Sequence, residues 1–427
     1  MIGIANSFKK LSVLCGFAVV ACDVPAPPTT TGGLPSAGQA GLDACGRGFS
    51  VLESDYESVN VALVGLDGHV LTESLTTSRI LPNGAAASLS GDVVLASSTT
   101  RGAELPLIDR SAPTPRVLLI DLSSGEPSRT LPVDTGFPAN PHDFAIISPT
   151  KAYVSRFGHN RDPDREPFDQ GSDLLIVDPD ATTVVGSIDL RAALEGDRMG
   201  NLPRPESVLI AGGYAYVLLG VLPLNGFAPE TASRLAMIDI ASDTILETLV
   251  LEGLRGCHSM ALAPDESELL VLCSALLNSN GDSDQDFSGL GVVGLMPAPR
   301  LLRKLPSRIW GGTPSGLSGA YFAPGNFLMT TYGRDSATGT AEVSDALLKL
   351  SLNDDRVETI LESNGTPFTL GGVACAPDCN VCVLADAGRD GGVIHRYEFD
   401  SNHKIAAHDT IKVESRIGLP PRYIGRF

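Results

Sequence analysis

The sequence predicts an all-β protein folded as a seven-bladed β-propeller of four-stranded antiparallel blades. Three observations lead to this prediction: one hairpin pattern recurs along the chain, a second alternates with it, and partial repeats stand at the two ends. The composition agrees, because 45 glycines and 30 prolines among 427 residues suit many short strands joined by tight turns.

The N-terminal region is predicted to be a targeting segment. A basic pair precedes the apolar run Leu11–Val20, which is too short to span a bilayer but long enough for a signal peptide. The run leads into Val-Val-Ala-Cys, which resembles the lipobox of bacterial lipoproteins, in which the cysteine, here Cys22, receives the lipid. An ordinary signal peptide with a chance cysteine is the alternative.

These features divide the chain into three predicted segments. Residues 1–21 form the signal peptide, residues 22–47 carry the lipidated cysteine and a flexible Pro/Thr/Gly-rich tether, and residues 48–427 form the propeller. The lipid would anchor the propeller to a membrane of the bacterial cell envelope without a membrane-spanning helix.

The first hairpin pattern has two short apolar halves around a turn of Pro, Gly, Asp or Asn, as tight turns require. Its six copies predict the two inner strands of six blades. The copies are Ala85–Ser98, Asp143–Arg156, Glu206–Leu219, His258–Ser274, Ser318–Thr331 and Gly371–Ala385.

The second pattern is an apolar strand that ends near Asp, followed by a polar turn and an alternating strand. Its seven copies recur at intervals of roughly 46 to 61 residues, a period typical of a four-stranded propeller blade. The copies begin at Val61, Val117, Leu174, Leu235, Gly291, Leu347 and Val393. A series of two-sheet sandwiches is the alternative, and it fits the ends of the chain less well.

The two ends supply the parts of the remaining blade. Ile417–Phe427 has the character of an inner strand, whereas Gly48–Glu53 resembles a second strand that lacks its first. One C-terminal strand plus three N-terminal strands are therefore predicted to complete the seventh blade. Closing the ring in this way removes exposed sheet edges.

Three segments, AYVSRFG, AYVLLG and LLIVDPDATTVVGSI, resemble the repeats of the YVTN-type seven-bladed β-propeller family. The resemblance extends over about residues 48–427 and implies the fold. It implies less about activity, because that family and its neighbours include binding proteins, lactonases and lyases.

Six of the eight cysteines remain once Cys15 leaves with the signal peptide and Cys22 takes the lipid. An even number in an exported chain indicates disulfides, and cysteines that face each other across a hairpin lie within bonding reach. The predicted pairs are Cys257–Cys273 and Cys375–Cys382, each across one hairpin, and Cys45–Cys379. A metal site formed by the three C-terminal cysteines is the alternative.

A net charge of −19 without a cluster of Lys and Arg would repel phosphate backbones, so no nucleic-acid partner is expected. The chain is expected to be a monomer. Its long loops are predicted to gather on one face around the central channel, where a rigid scaffold usually presents a binding site. These loops are Ser97–Arg116, Phe157–Ser172, Gly220–Arg234, Leu276–Gly289 and Tyr332–Asp345.

Aligning the inner strands on their turns predicts one column of residues at the channel mouth. The column consists of Gly84, Asp143, Glu206, His258, Ser318, Gly371 and Arg422. Asp143, Glu206 and His258 could hold a divalent cation such as calcium or zinc, because carboxylates and imidazoles are common ligands. The predicted ligand-binding set adds His142, Arg156 and His159. Alternatively, these polar residues cap strand ends and line a water-filled channel.

No cofactor is certain, and the P-loop, dinucleotide-binding, nucleophile-elbow and HEXXH motifs are all missing from the sequence. The preferred hypothesis is therefore a binding protein that recognises a protein, peptide or glycan partner through the long-loop face. The alternative is a metal-dependent enzyme of the lactonase or lyase kind, with His142 or His159 as proton carrier.

Overall fold

The computed structural model describes residues 45–78, 89–97, 102–111, 114–277, 282–333, 343–363, 367–388, 391–413 and 418–427. Within these ranges the chain forms thirty β-strands and no α-helix, which confirms the predicted all-β class. In the same ranges, no helix is long and apolar enough to cross a membrane. The predicted signal peptide, the lipidation site at Cys22 and the tether up to residue 44 lie outside the described residues.

The strands pair into seven four-stranded antiparallel sheets, each of which is one blade of the predicted propeller. Blade 1 consists of β4 (Val93–Leu95), β5 (Glu104–Asp109), β6 (Arg116–Asp121) and β7 (Pro127–Pro132). Blade 2 consists of β8 (Pro141–Ser148), β9 (Lys151–His159), β10 (Gly171–Asp178) and β11 (Thr183–Ile188). Blade 3 consists of β13 (Pro205–Ala211), β14 (Tyr214–Leu219), β16 (Arg234–Asp239) and β17 (Thr244–Val250).

The remaining blades follow the same plan. Blade 4 consists of β18 (Cys257–Leu262), β19 (Glu268–Cys273), β20 (Gly289–Gly294) and β21 (Arg300–Pro306). Blade 5 consists of β22 (Ser315–Ala323), β23 (Asn326–Thr331), β24 (Ala346–Ser351) and β25 (Arg356–Glu362). Blade 6 consists of β26 (Leu370–Ala376), β27 (Val381–Asp386), β28 (Val393–Phe399) and β29 (Ile405–Ile411). A two-stranded ribbon of β12 (Asn201–Leu202) and β15 (Leu222–Pro223) accompanies blade 3.

Blade 7 closes the ring as predicted. It combines β30 (Pro421–Arg426) with β1 (Gly48–Ser54), β2 (Val59–Gly65) and β3 (Val70–Thr77). The C-terminal strand β30 pairs antiparallel with β1, so that Val51 faces Ile424. The backbone N–H of Ser54 also donates to the Pro420 carbonyl at 2.8 Å. The N-terminal and C-terminal strands therefore share one continuous hydrogen-bonded sheet.

The prediction for blade 1 was wrong in register. Its second strand is not the second half of Ala85–Ser98 but β5, which lies inside the predicted loop Ser97–Arg116. The sequence did not predict this strand because it contains Pro106, and proline lacks the N–H that a central strand needs. The first strand, β4, pairs only as far as Leu95 opposite Leu107, so Pro106 lies beyond its end. Gly84, the predicted column residue of this blade, lies outside the described residues.

The hydrophobic core lies between the blades. Seven clusters of buried side chains occupy the seven junctions between neighbouring blades. At the junction of blades 2 and 3, for example, Tyr153 and Leu174 share a cluster with Val217 and Ala236. Complete burial of one large apolar side chain stabilises a fold by about 1.5–3 kcal/mol, so each blade is held mainly by its two neighbours.

All three predicted disulfides are present. Cys257–Cys273 joins β18 to β19 with Cα atoms 3.7 Å apart, and Cys375–Cys382 joins β26 to β27 with Cα atoms 4.0 Å apart. Cys45–Cys379 ties the segment before β1 to blade 6 across a sequence separation of 334 residues. Because every one of these cysteines is oxidised, the alternative of a cysteine metal site is wrong.

Candidate functional site

The inner strands of the blades all begin on one face of the ring, here called the mouth face. The connections between blades and the loops between second and third strands lie on the same face. The two-stranded ribbon of blade 3 and the short 3-10 turns Leu190–Leu194 and Ser307–Trp310 belong to it. The mouth face therefore carries most of the irregular structure in the described residues, as predicted.

In four of the blades, a β-bulge near the start of the inner strand brings one residue to the channel mouth. In β8 the pairing shifts between Pro141 and Asp143, which leaves His142 as the bulged residue. The equivalent bulged residues of blades 3, 4 and 7 are Glu206, His258 and Arg422. The residue of blade 2 at this level is thus His142 and not Asp143, because a bulge shifts the register by one residue.

Asp143 lies one step further inside and is almost completely buried. Its Oδ1 accepts from the backbone N–H groups of Ser97 and Phe144, both at 2.8 Å. Its Oδ2 accepts from the N–H of Val208 at 2.8 Å and from the hydroxyl of Ser207 at 3.0 Å. Burial raises the pKa of Asp143, while these hydrogen bonds oppose the rise. The carboxylate therefore joins the inner strands of blades 1, 2 and 3, and its oxygens are already occupied.

The structure does not bring the predicted metal-binding trio together. The two ring nitrogens of His258 face backbone carbonyls, with Nε2 at 2.7 Å from the Gly316 oxygen and Nδ1 at 3.3 Å from the Gly256 oxygen. Among the described residues, no group of three His, Cys, Asp or Glu side chains is arranged to hold a metal ion. Asp143 and His258 serve the scaffold here, and only Glu206 keeps a contact with another predicted site residue.

That contact is a pair between His142 and Glu206. His142 Nδ1 lies 2.6 Å from Glu206 Oε2, and its Nε2 lies 3.2 Å from the side-chain amide nitrogen of Asn140. If the amide donates to Nε2, the imidazole must carry its proton on Nδ1 and donate it to the carboxylate. The ring also stacks on Phe157, with centroids 4.3 Å apart. The arrangement fixes a polarised imidazole at the mouth.

Arg156 is fully buried, and the Asp173 carboxylate neutralises its charge. It forms two hydrogen bonds to the Asp173 carboxylate, of 2.7 Å from Nε and 2.6 Å from Nη2. Nη1 donates to the Thr135 hydroxyl and Nη2 to the Phe168 carbonyl, both at 2.6 Å. Arg156, a predicted ligand-binding residue, therefore anchors the loop between β9 and β10 and uses four of its five N–H donors within the protein.

Arg204, which the sequence analysis missed, lies on the other side of Phe157. Its Nη1 donates to the Phe157 carbonyl at 2.8 Å, and its guanidinium carbon lies 5.0 Å from the centre of the Phe157 ring. The side chain is only 9% exposed, and its buried Nε has no hydrogen-bond partner. Burial lowers the pKa of Arg204, whereas the nearby charge of Glu206 opposes the shift.

Three arginine charges act on His159 at the end of β9. Burial lowers the pKa of His159, and the charges of Arg204, Arg191 and Arg161 lower it further. Asp189 neutralises Arg191 through contacts of 2.7 to 3.1 Å, whereas no described residue pairs with the exposed Arg161. The predicted site residue His159 therefore lies within electrostatic range of these arginines.

The mouth face also carries most of the exposed apolar side chains. Eight of the fourteen large exposed hydrophobic residues in the described part of the chain lie in its loops: Tyr56, Phe168, Met199, Leu224, Phe227, Leu277, Ile309 and Phe368. Met199 is 98% exposed and Phe227 is 77% exposed, both next to the ribbon of blade 3. Met199, Leu224 and Phe227 are here called the apolar projection of blade 3. A hydrogen bond of 2.9 Å from the Leu224 N–H to the Gly200 carbonyl and the ion pair of Arg198 with Glu230 hold its two segments together.

A recess with a volume of about 380 Å³ lies on the opposite face, between blades 4 and 5. Its polar side chains are already engaged within the protein. Glu268 accepts from the Tyr321 hydroxyl at 2.8 Å, and Arg303 pairs with Asp355 at 2.9 Å. This recess offers fewer open polar groups than the mouth face.

Comparison with known proteins shows the fold alone. No family model matches the chain, and no curated protein matches it either. A Bacteroides fragilis protein assigned as a 6-phosphogluconolactonase is similar in structure, with 9% identity and a TM-score of 0.53 over 89% of this chain and 97% of that one.

Two further solved structures give the same result. A Lactobacillus plantarum protein aligns with a TM-score of 0.54 and 9% identity over 89% of this chain and 99% of that one. The β-propeller domain of Cps50 (Swd1) from Myceliophteria thermophila aligns with a TM-score of 0.52 and 12% identity, over 83% and 98%. Proteins with such different names share this fold, so the likeness leaves the YVTN resemblance and the activity as predictions.

Proposed function

We propose that this protein is a lipid-anchored binding protein of the bacterial cell envelope that recognises a protein, peptide or glycan partner through the mouth face. The observation that carries the proposal is the concentration of exposed Tyr, Phe, Met, Leu and Ile side chains on this face. Aromatic residues and methionine are enriched at protein interfaces, so exposed side chains of these types on one face are candidate contacts for a partner.

The location of the protein rests on the sequence and on its oxidised cysteines. The lipobox-like segment before Cys22 supports a lipid anchor, and three disulfides are typical of chains that fold in an oxidising compartment. Cys22→Ser should therefore move the protein from the membrane fraction to the soluble fraction when the natural host is fractionated. Retention of C22S in the membrane fraction, with its apolar segment cleaved, would contradict the anchor.

A triple variant tests the binding surface. Met199→Ser, Leu224→Ser and Phe227→Ser together remove the apolar projection of blade 3 without touching a buried residue. The matched control carries Val185→Ser, Leu246→Ser and Ile405→Ser, three exposed apolar residues on outermost strands.

We expect chemical cross-linking in intact cells to give one discrete adduct with the wild type and the control, and none with the projection variant. The purified partner should then lose affinity for that variant by at least tenfold, as expected for aromatic anchors. Equal affinity for both variants would exclude the projection as the binding surface.

A second candidate function is a lactonase- or lyase-type enzyme that acts at the mouth. The contact of 2.6 Å between His142 and Glu206 favours it, because a carboxylate that orients an imidazole is a common device for proton transfer. Since the described residues hold no three-ligand metal group, this chemistry would depend on the pair itself.

A panel of lactones, assayed with and without EDTA and with elemental analysis for calcium and zinc, tests this candidate. Activity that survives chelation and falls at least 100-fold in His142→Gln would support a metal-free enzyme. Hydrolysis that is equal in wild type and H142Q would exclude the pair as the catalytic group.

A further inference from the structure

Four arginine side chains are at least nine-tenths buried in the described part of the chain, and one of them stands apart. Arg156, Arg234 and Arg396 each form an ion pair with at least one carboxylate. Arg204 forms none, although the protein has an excess of acidic residues and a net charge of −19. A buried guanidinium that no carboxylate contacts is costly, even with the Glu206 charge nearby, so such a group suits a partner from outside the chain.

The backbone at Arg204 points in the same direction. Arg204, Asn140 and Gly256 occupy the same position, just before the inner strand, in three blades. Their carbonyls accept from equivalent N–H groups near the end of the second strand, those of Gly220 at 3.0 Å, Phe157 at 3.1 Å and Ser274 at 3.2 Å. All three have positive φ angles, of 50, 44 and 56°. Asn and Gly tolerate this left-handed conformation, whereas arginine, here between two prolines, rarely adopts it. An arginine therefore stands here although the backbone conformation favours asparagine or glycine.

The guanidinium is also held rigidly. Phe157 lies between His142, which stacks on it, and Arg204, whose Nη1 donates to the Phe157 carbonyl. The backbone N–H of Arg204 donates to the Ser172 hydroxyl at 2.9 Å. No other side-chain hydrogen bond of Arg204 reaches a described residue, so most of its N–H donors remain open. A fixed fork of donors suits the two oxygens of a carboxylate or a phosphate.

The neighbouring groups favour an anion as well. Arg161 is exposed and has no described partner, and His159 lies close enough to both arginines for their charges to affect its titration. Glu206, whose charge acts on Arg204, is hydrogen-bonded to His142, while Asp162 pairs with Arg165 and Asp189 with Arg191. An incoming anion would therefore meet two arginines, Arg204 and Arg161, that form no ion pair with a described residue.

We propose that Arg204, with Arg161 and His159 beside it, forms a binding site for the carboxylate or phosphate group of a ligand at the channel mouth. The acidic group belongs either to a small anion or to the side chain of a binding partner. The site needs no metal and does not depend on the apolar projection of blade 3.

Thermal unfolding of the propeller with disulfides intact tests the site. The probes are succinate, inorganic phosphate and a capped Gly-Glu-Gly peptide, each titrated at constant ionic strength against sodium chloride. We expect a saturable rise in Tm of about 1–3 °C with at least one probe, because a ligand that binds only the folded state stabilises it. A response to succinate or phosphate identifies a small anion, and a response to the peptide alone identifies an acidic side chain.

Two variants make the outcome specific. Arg204→Asn introduces the residue found at the same position in blade 2 and should abolish the rise in Tm. Arg308→Asn removes an exposed arginine from the same face and should leave the rise unchanged. The proposal is overturned if no probe raises the Tm of the wild type, or if R204N responds as the wild type does. The variant that lacks the projection should keep the anion response, so this result is independent of partner binding.

Discussion

Arg156 and Arg204 each lie over a phenylalanine ring, Phe137 and Phe157 respectively, yet their surroundings differ in kind. Arg156 has a carboxylate, a hydroxyl and a carbonyl as partners and is completely buried. Arg204 has one carbonyl and an aromatic face, and its Nε has no partner. Both carry a charge that the interior disfavours, but only the first is neutralised by the protein itself.

The difference separates scaffold from site. A closed network such as Arg156–Asp173 or Asp143 with its four donors fixes strands and loops in place, and it leaves little capacity for a ligand. An open group such as Arg204 costs stability in the free protein and regains it on binding. Polar residues at the propeller mouth whose hydrogen bonds are all made within the protein therefore belong to the scaffold, and those with unused donors or acceptors are candidates for ligand binding.

The largest expected effect is the loss of one member of the closed pair. Asp173→Ala should lower the free energy of unfolding by about 3–5 kcal/mol, because it leaves the Arg156 charge buried and unpaired. Urea unfolding followed by fluorescence measures the change. Asp162→Ala, which breaks an exposed ion pair with Arg165, is the control and should change the value by less than about 1 kcal/mol. Equal effects of the two substitutions would break the comparison.

A somewhat smaller loss is expected for the second closed network. Asp143→Ala should cost about 2–4 kcal/mol, since it removes the acceptor of the buried Val208 N–H group and the buried Ser207 hydroxyl. The same unfolding experiment applies, again with Asp162→Ala as control. A stability equal to that of the wild type would show that Asp143 does not act as a structural link between blades.

The open arginine should behave in the opposite way. We expect Arg204→Asn to leave the free energy of unfolding unchanged or to raise it by up to about 1 kcal/mol, because it removes an unpaired buried charge and eases the left-handed backbone. Arg156→Asn, measured beside it, should be strongly destabilising. A large loss of stability in R204N would place Arg204 with the scaffold.

The smallest effect is a pH dependence at His159, whose pKa is lowered by burial and by the nearby arginines. In the folded state this imidazole binds a proton less readily than in the unfolded chain, whose value is about 6.5. The unfolded state therefore takes up more protons as the pH falls below about 6.5, and stability declines in that window. Unfolding measured between pH 8 and 5 should show a shallower decline in His159→Gln, and an unchanged one in exposed His69→Gln. An identical decline in H159Q and wild type would contradict this account.

The ring closure and the disulfides could be predicted from the sequence because both depend on spacing. Partial repeats at Gly48–Glu53 and Ile417–Phe427 have to complement each other, and cysteines placed symmetrically about a turn have to face each other. Blade 1 was predicted wrongly because Pro106 made β5 look like a loop, and only the short partner strand β4 makes that proline tolerable.

The candidate site was predicted only in part. A single bulge near Pro141 shifts Asp143 away from the mouth and brings His142 there, and bulges leave no mark in an alternating pattern. Arg204 escaped notice because its importance lies in the carboxylate that it lacks, which only the three-dimensional surroundings reveal. Aligning Asn140-Pro141 with Arg204-Pro205 would have exposed an arginine at a position suited to asparagine.

The composition of blade 7 has a consequence for how the protein is made. Its innermost strand, β30, follows every other described strand in the chain, whereas β1, with which it pairs, precedes them. Six blades can assemble as the chain emerges from the ribosome, but β1 keeps an unpaired edge until β30 is made. We expect a chain truncated before β30 to keep this edge exposed and to become a target for chaperones and proteases.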